Sequence, residues 1–196
     1  MLIEFLRTHR LSKRIIFKLG EGRARFLVDH FRLELGASDK ILDIGSGTGN
    51  IVALLRADHL DVTPLDVQNL SFTDNVVPLM YDGGRIPFED KSFDVALLIT
   101  VLHHIAEPEP VIAEAARVAR RVIIVEDVYH SPLHKRATHF FDSLFNLEFR
   151  NHPHSNKNDE VWQKLFKEMG LTLTAEAAMK SFVVFRHKLY VLDVTR

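Results

Sequence analysis

The spacing of apolar residues along this chain changes period several times, and each change marks an element. ILDI (41–44) is a short apolar run that reads as a strand. NIVALLRAD (50–58) places Ile51, Leu54 and Leu55 on one face of a helix. LDVTPLDV (60–67), interrupted by Pro64, and VVPLMYD (76–82) read as a second and a third strand. FDVALLITVL (93–102) is almost wholly apolar, as a central parallel strand covered on both faces must be. A helix is expected over EPEPVIAEAARVARR, with Pro110 in its first turn and Val111, Ala115 and Val118 on one face. RVIIVEDV (121–128) is a fifth strand. NDEVWQKLFKEMG then aligns Trp162, Leu165, Phe166 and Met169 on a helix that Gly170 stops. LTLT (171–174) and SFVVFRHKLYVLDV (181–194) are two last strands, close enough to pair antiparallel. Strands alternating with helices predict an α/β protein with a largely parallel sheet and helices on both faces. No repeat, linker or low-complexity stretch divides residues 1–196, so one domain is expected.

Composition narrows the function classes. Of 196 residues, 46% are hydrophobic and 26% charged, a globular balance. A net charge of -1 argues against general nucleic-acid binding, which needs clustered cations. The absence of cysteine removes disulfides, thiolate metal sites and a cysteine nucleophile. No apolar run approaches the roughly 18 residues that span a bilayer, and Glu4 and Arg7 interrupt any signal-peptide core, so a cytoplasmic location is expected. The first forty residues hold nine Lys or Arg against five acids, interleaved with Leu2, Phe5, Leu6, Ile15, Ile16 and Leu19. Residues 1–38 therefore read as amphipathic helices. They suit a helical lid, a peripheral contact with an anionic membrane, or a partner surface.

Candidate chemistry begins at ILDIGSGTGN (41–50). Glycine lets a backbone turn tightly and approach a ligand that a Cβ would block. The pyrophosphate fingerprint G-x-G-x-x-G requires glycines at offsets zero, two and five. Here Gly45, Gly47 and Gly49 stand at offsets zero, two and four, and offset five is Asn50. Each strand end also carries an acid: Asp43 before the glycines, Asp66 after the second strand, and Asp82 with Gly83 after the third. Asp66 lies 21 positions after Gly45, near the ~20-residue offset at which an acid meets a ribose diol.

These residues resemble the class I S-adenosylmethionine-dependent methyltransferases, in particular small-molecule enzymes related to ubiquinone biosynthesis. ILDIGSGTG matches that family's first motif, LDV (65–67) its second-strand acid, and YDGGRIPFEDKSFDVALLITVLHHI its D-x-x-x-L-P-F-x-D-x-S-F-D-V stretch, with Ile86 in place of Leu. The resemblance implies a Rossmann-like, doubly wound, seven-stranded sheet, mostly parallel with an antiparallel last strand. It implies S-adenosyl-L-methionine as cofactor. Gly45, Ser46, Gly47 and Gly49 would then meet its methionine and ribose parts, with Asp43 near the amino group. Asp66 would hold the ribose hydroxyls, Val67 would lie beside the adenine, and Asp82 and Gly83 would face the adenine edge. Thr100 and His103 would line the pocket near the sulfonium. A cofactor without phosphate also accounts for the glycine spacing, since no anion has to be cradled.

The acceptor is less constrained. A base is required only where the acceptor carries a proton to be lost, and His103 and His104 are the candidates; either could instead pack or cap the next helix. ITVLHH replaces the Asn/Asp-Pro-Pro-aromatic motif of amino-methylating nucleic-acid enzymes. The segment 129–157 reads as a substrate-side insertion. Phe140, Phe141, Phe145 and Phe149 there fit a core or an apolar pocket, with Glu126, Asp127 and Asp142 available for polar contacts. His130 and His134 have i, i+4 spacing, but Pro132 between them disfavours the helix that chelation needs, and no metal site is assigned. A small, apolar or aromatic acceptor is the leading expectation. A methyltransferase acting on RNA, protein or membrane lipid, and a non-catalytic cofactor-binding protein or other Rossmann-like enzyme, are the alternatives.

Overall fold

The computed structural model describes residue 6 and residues 9–128, 157–181 and 185–194. His130, His134, Asp142 and the insertion phenylalanines lie outside these residues. A long helix α1 (Arg10–Phe31) precedes β1 (Lys40–Ile44), α2 (Asn50–Ala57), β2 (Asp61–Asp66), β3 (Leu79–Met80) and β4 (Phe93–Ile99). Then come α3 (Glu109–Val118), β5 (Ala119–Asp127), α4 (Asp159–Glu168), β6 (Leu171–Ser181) and β7 (Phe185–Val194). The seven strands form one sheet in the order β3-β2-β1-β4-β5-β7-β6. Strands β1 to β5 pair in parallel, and β7 runs antiparallel to both β5 and β6. The fold is the Rossmann-like one that the sequence implied.

Helices cover both faces because the strands are apolar on both. One core joins Leu27 and Phe31 of α1 and Val52 and Leu55 of α2 to Ile41, Val95, Leu97 and Ile123 of the sheet. The other joins Ile112 and Ala115 of α3 and Trp162 and Phe166 of α4 to Leu42, Ala96, Leu98 and Ile124. Successive strand residues thus go to opposite cores, the period-2 alternation of a strand buried on both sides. In α4, Asn158 caps the helix by accepting a hydrogen bond from Val161 N–H, and Trp162 stacks on Phe166 with ring centroids 5.8 Å apart.

Several elements differ in extent from the sequence reading, most of all the third and sixth strands. The third strand contracts to two residues, since only Leu79 and Met80 pair with β2. The sixth lengthens from LTLT to eleven residues. Pro64 does not break β2: β3 pairs only with Leu65 and Asp66, so β2 is still a free edge on that side where proline has no N–H to give.

Candidate functional site

Strand β1 has β2 on one side and β4 on the other, and the chain runs outward in both directions from it. Ligands of open α/β sheets bind beyond the carboxyl ends of the strands at this reversal of order. Gly45 N–H and Ser46 N–H both donate to Leu65 O, at 2.8 and 3.2 Å, which folds the glycine loop back over the end of β2. Gly45 has φ 77°, and a Cβ there would stand 2.4 Å from Val101 Cγ2. Gly49 has φ 80°, where a Cβ would press on Ser71 and Val76. Only glycine meets both the torsion and the space.

Two carboxylates flank the loop. Asp66 Oδ2 accepts from Gly47 N–H at 2.9 Å and its Oδ1 from Gln68 N–H at 3.2 Å, so its orientation is fixed by backbone donors. Asp43 is buried and receives no side-chain hydrogen bond from the described residues. Burial first, and the neighbouring Asp66 charge second, push its carboxyl up to about 7. Ser46 is buried as well, and its Oγ finds no hydrogen-bond partner among the described residues. Asp82 lies further along the same rim, exposed, with its Oδ1 accepting from Gly84 N–H at 2.9 Å. A Cβ on Gly83, at φ 84°, would touch Val67 Cγ1 at 3.4 Å, so the ends of β2 and β3 meet at Val67 and Gly83.

At the end of β4, Thr100 adopts φ 54°, a left-handed conformation rarely held by a β-branched residue, and its N–H donates to Val125 O at 2.7 Å. The chain then turns through a single 3-10 turn, Leu102–His104. Glu126 of β5, fully buried, holds that turn: its Oε1 accepts from Leu102 N–H at 2.6 Å, and its Oε2 lies 2.7 Å from His103 Nδ1. The His104 ring lies 4.0 Å from that of His103, centroid to centroid. On the other face of the sheet, Asp127 stands opposite His187 of β7, with Oδ1 and Nε2 3.3 Å apart and both residues buried. The sequence reading placed Glu126 and Asp127 near an acceptor but passed over His187; its inward position in the alternation of FRHKLYVL was the available signal.

The N-terminal helix closes over the glycine loop. Asn50 Nδ2 donates to Phe17 O at 2.8 Å, and a Cβ on Gly20 would stand 3.0 Å from Asn50 Oδ1. Asp43, Gly45, Ser46, Gly47, Gly49, Asp66, Val67, Asp82, Gly83, Thr100, His103 and His104 therefore all lie at the carboxyl ends of β1 to β4. A concavity of about 420 Å³ lined by Asp39, Asp94, Arg120, Arg121 and Asp193 is at the opposite ends of the strands. Its charges pair among themselves, Arg120 with Asp94 and Arg121 with Asp193, and it plays no part in the site.

Residues 42–125 match the methyltransferase domain family. Over this segment the chain is similar to class I S-adenosylmethionine-dependent methyltransferases. It is 33% identical over 101 residues to 27-O-demethylrifamycin SV methyltransferase of Amycolatopsis mediterranei, covering 45% of this chain and 37% of that protein. Against demethylmenaquinone methyltransferase of Thermotoga maritima it is 30% identical over 91 residues, 42% of this chain and 40% of the relative. The chain thus spans well under half the length of these two relatives. A SAM-dependent methyltransferase structure from Methanosarcina mazei superposes with a TM-score of 0.65 at 18% identity, covering 83% of this chain and 95% of that one. In this methyltransferase fold the matched segment runs from β1 to β5, the strands that carry the site.

The residues at the rim fit the family's cofactor. The loop is open at Gly47, where a Cβ would meet only Gly45 O at 3.9 Å; among the described residues Ser46 Oγ is buried without a hydrogen-bond partner and the buried Asp43 carboxyl has no cation paired with it. A ligand with an amino group, a sulfonium and a ribose diol supplies what each of these lacks.

Proposed function

We propose that this chain transfers a methyl group from S-adenosyl-L-methionine to a small acceptor of apolar or aromatic character. The convergence of Asp43, Asp66 and the three-glycine loop at the reversal of strand order carries this reading. When bound, the cofactor supplies a methyl group on a sulfonium that is already a good leaving group. The chain's own residues bind, orient and exclude water. Asp66, held by Gly47 and Gln68 N–H, accepts from the ribose hydroxyls. Asp43 ionises against the amino group, and Gly45, Ser46 and Gly49 shape the backbone around the methionine part. Val67 and Gly83 flank the adenine, with Asp82 at its amino edge. Thr100 and His103 line the end nearest the methyl group.

His103 is the base where the acceptor has a proton to lose. Glu126 fixes the ring by its contact with Nδ1 and stabilises the imidazolium formed when Nε2 takes the proton. His104, against the His103 ring, completes that wall. The relatives named for 27-O-demethylrifamycin SV and demethylmenaquinone support an acceptor of small-molecule type.

Calorimetric titration with S-adenosylmethionine, S-adenosylhomocysteine and NADH, beside Asp66→Ala, tests the reading. Micromolar binding of both sulfur ligands is expected, weakened at least about tenfold in the variant as a diol contact is lost, with no NADH binding. Absence of both sulfur ligands would overturn it.

A further inference from the structure

Helix α1 has two working faces, and the site uses only one. Ala24, Leu27, Val28 and Phe31 enter the core, and Phe17 and Gly20 lie against the glycine loop. On the far side Leu11, Ile15 and Leu19 recur every fourth residue and are 72, 51 and 78% exposed. This spacing makes one continuous apolar stripe. Such a stripe costs solubility in a protein that keeps it in water.

The charges around the stripe identify its counterpart. Arg14 and Lys18 each precede a stripe residue by one position and border it along its length, both exposed and in no ion pair among the described residues. Arg10 extends the row toward the helix start. Between residues 9 and 20 there is no acid. Lys13, by contrast, faces inward and is bound to Asp74 at 2.5 Å. The cations are thus free on the stripe's side and neutralised on the domain's side. An apolar strip with a cationic border, and no acids beside it, suits the plane between lipid headgroups and acyl chains, where the leucines enter and the cations stay at the phosphates. Another protein would have to supply both a greasy groove and an acidic rim; an anionic bilayer presents the two together.

We propose that α1 docks this protein on anionic membrane surfaces through Leu11, Ile15 and Leu19, with Arg14 and Lys18 on lipid phosphates. The helix then joins bilayer to site, one face on lipid and the other on the glycine loop. The proposal does not rest on methyl transfer, because vesicle binding is read without cofactor.

The test is flotation of the full chain with phosphatidylcholine vesicles, with and without phosphatidylglycerol. The protein is expected to float only with the mixed vesicles and to be released by salt. Ile15→Glu/Leu19→Glu should abolish flotation. Arg14→Glu/Lys18→Glu should weaken it by about an order of magnitude or more, since each cation near an anionic surface is worth about fivefold. Both variants change exposed side chains, and an unchanged thermal midpoint shows that they fold. Equal binding to neutral vesicles, no flotation of the unmodified chain, or insensitivity to both pairs of substitutions would overturn the proposal. So would a dimer in light scattering that Ile15→Glu/Leu19→Glu dissociates, which would make the stripe a contact between two copies.

Discussion

Gly45 and Asp43 illustrate how single residues carry the site. At Gly45 the torsion and the space are separate constraints, and a double variant separates them. Gly45→Ala is expected to cost about 1–3 kcal/mol from the left-handed torsion, plus the collision with Val101 Cγ2. Adding Val101→Ala should recover only the collision part, read by urea denaturation; full recovery would show that the torsion costs nothing. Asp43 makes stability depend on pH. Its folded carboxyl titrates near 7 against 3.8 for an ordinary aspartate, so the folded state keeps a proton that the unfolded chain gives up in between. Stability therefore falls as pH rises through that window and levels off above it. Asp43→Asn should remove this slope, a difference of up to a few kcal/mol at neutral pH. Identical pH profiles for the two proteins would refute the assignment. Neither effect is visible in the letters G and D alone. The spacing announced that the residues mattered, but burial and the Val101 contact decide by how much.

At the scale of elements, the stretch GRIPFEDKSFD becomes a fixed loop because α3 reaches across to it. Arg117 donates to Ile86 O, Phe88 O, Asp90 and Glu114, and Glu114 in turn accepts from Ile86 N–H at 2.8 Å. The pair holds the loop between β3 and β4 on which the rim residues Asp82 and Gly83 depend. Arg117→Ala removes these bonds and leaves two partly buried carbonyls, so a loss of about 2–3 kcal/mol is expected in denaturant unfolding. A loss within experimental error would mean that water replaces the guanidinium at no cost. The motif was legible in the sequence, whereas its anchor was not. Arg117 is 29 and 31 positions from the two carbonyls it binds, and a helix wheel shows only that it is polar. Likewise the short third strand could not be foreseen, because pairing with β2 and not local apolarity sets its length.

At the scale of the whole molecule, two cores share a single sheet, and the site lies where that sheet's strands diverge. A ligand held by β1, β2, β3 and β4 together must stabilise the sheet that joins both cores. With S-adenosylhomocysteine at about a hundred times its Kd, the gain is roughly 2.7 kcal/mol. This corresponds to a rise of about 5–10 °C in Tm for a chain of this size. Differential scanning calorimetry checks it, with NADH as the ligand expected to give no shift; equal shifts with both would show non-specific stabilisation.

The order of strands and helices, the glycine loop and the acids at strand ends were determined by the sequence alone. They depend on local periodicity and on residue types that few other conformations tolerate. Tertiary structure decided which of those acids is buried without a bond, which histidine a carboxylate holds, and which face of α1 remains in solvent. These properties arise between residues far apart in the chain: Glu126 meets His103 across two strands, and Asn50 meets Phe17 across a loop. Burial, orientation and exposure are set by what the rest of the fold places beside a residue.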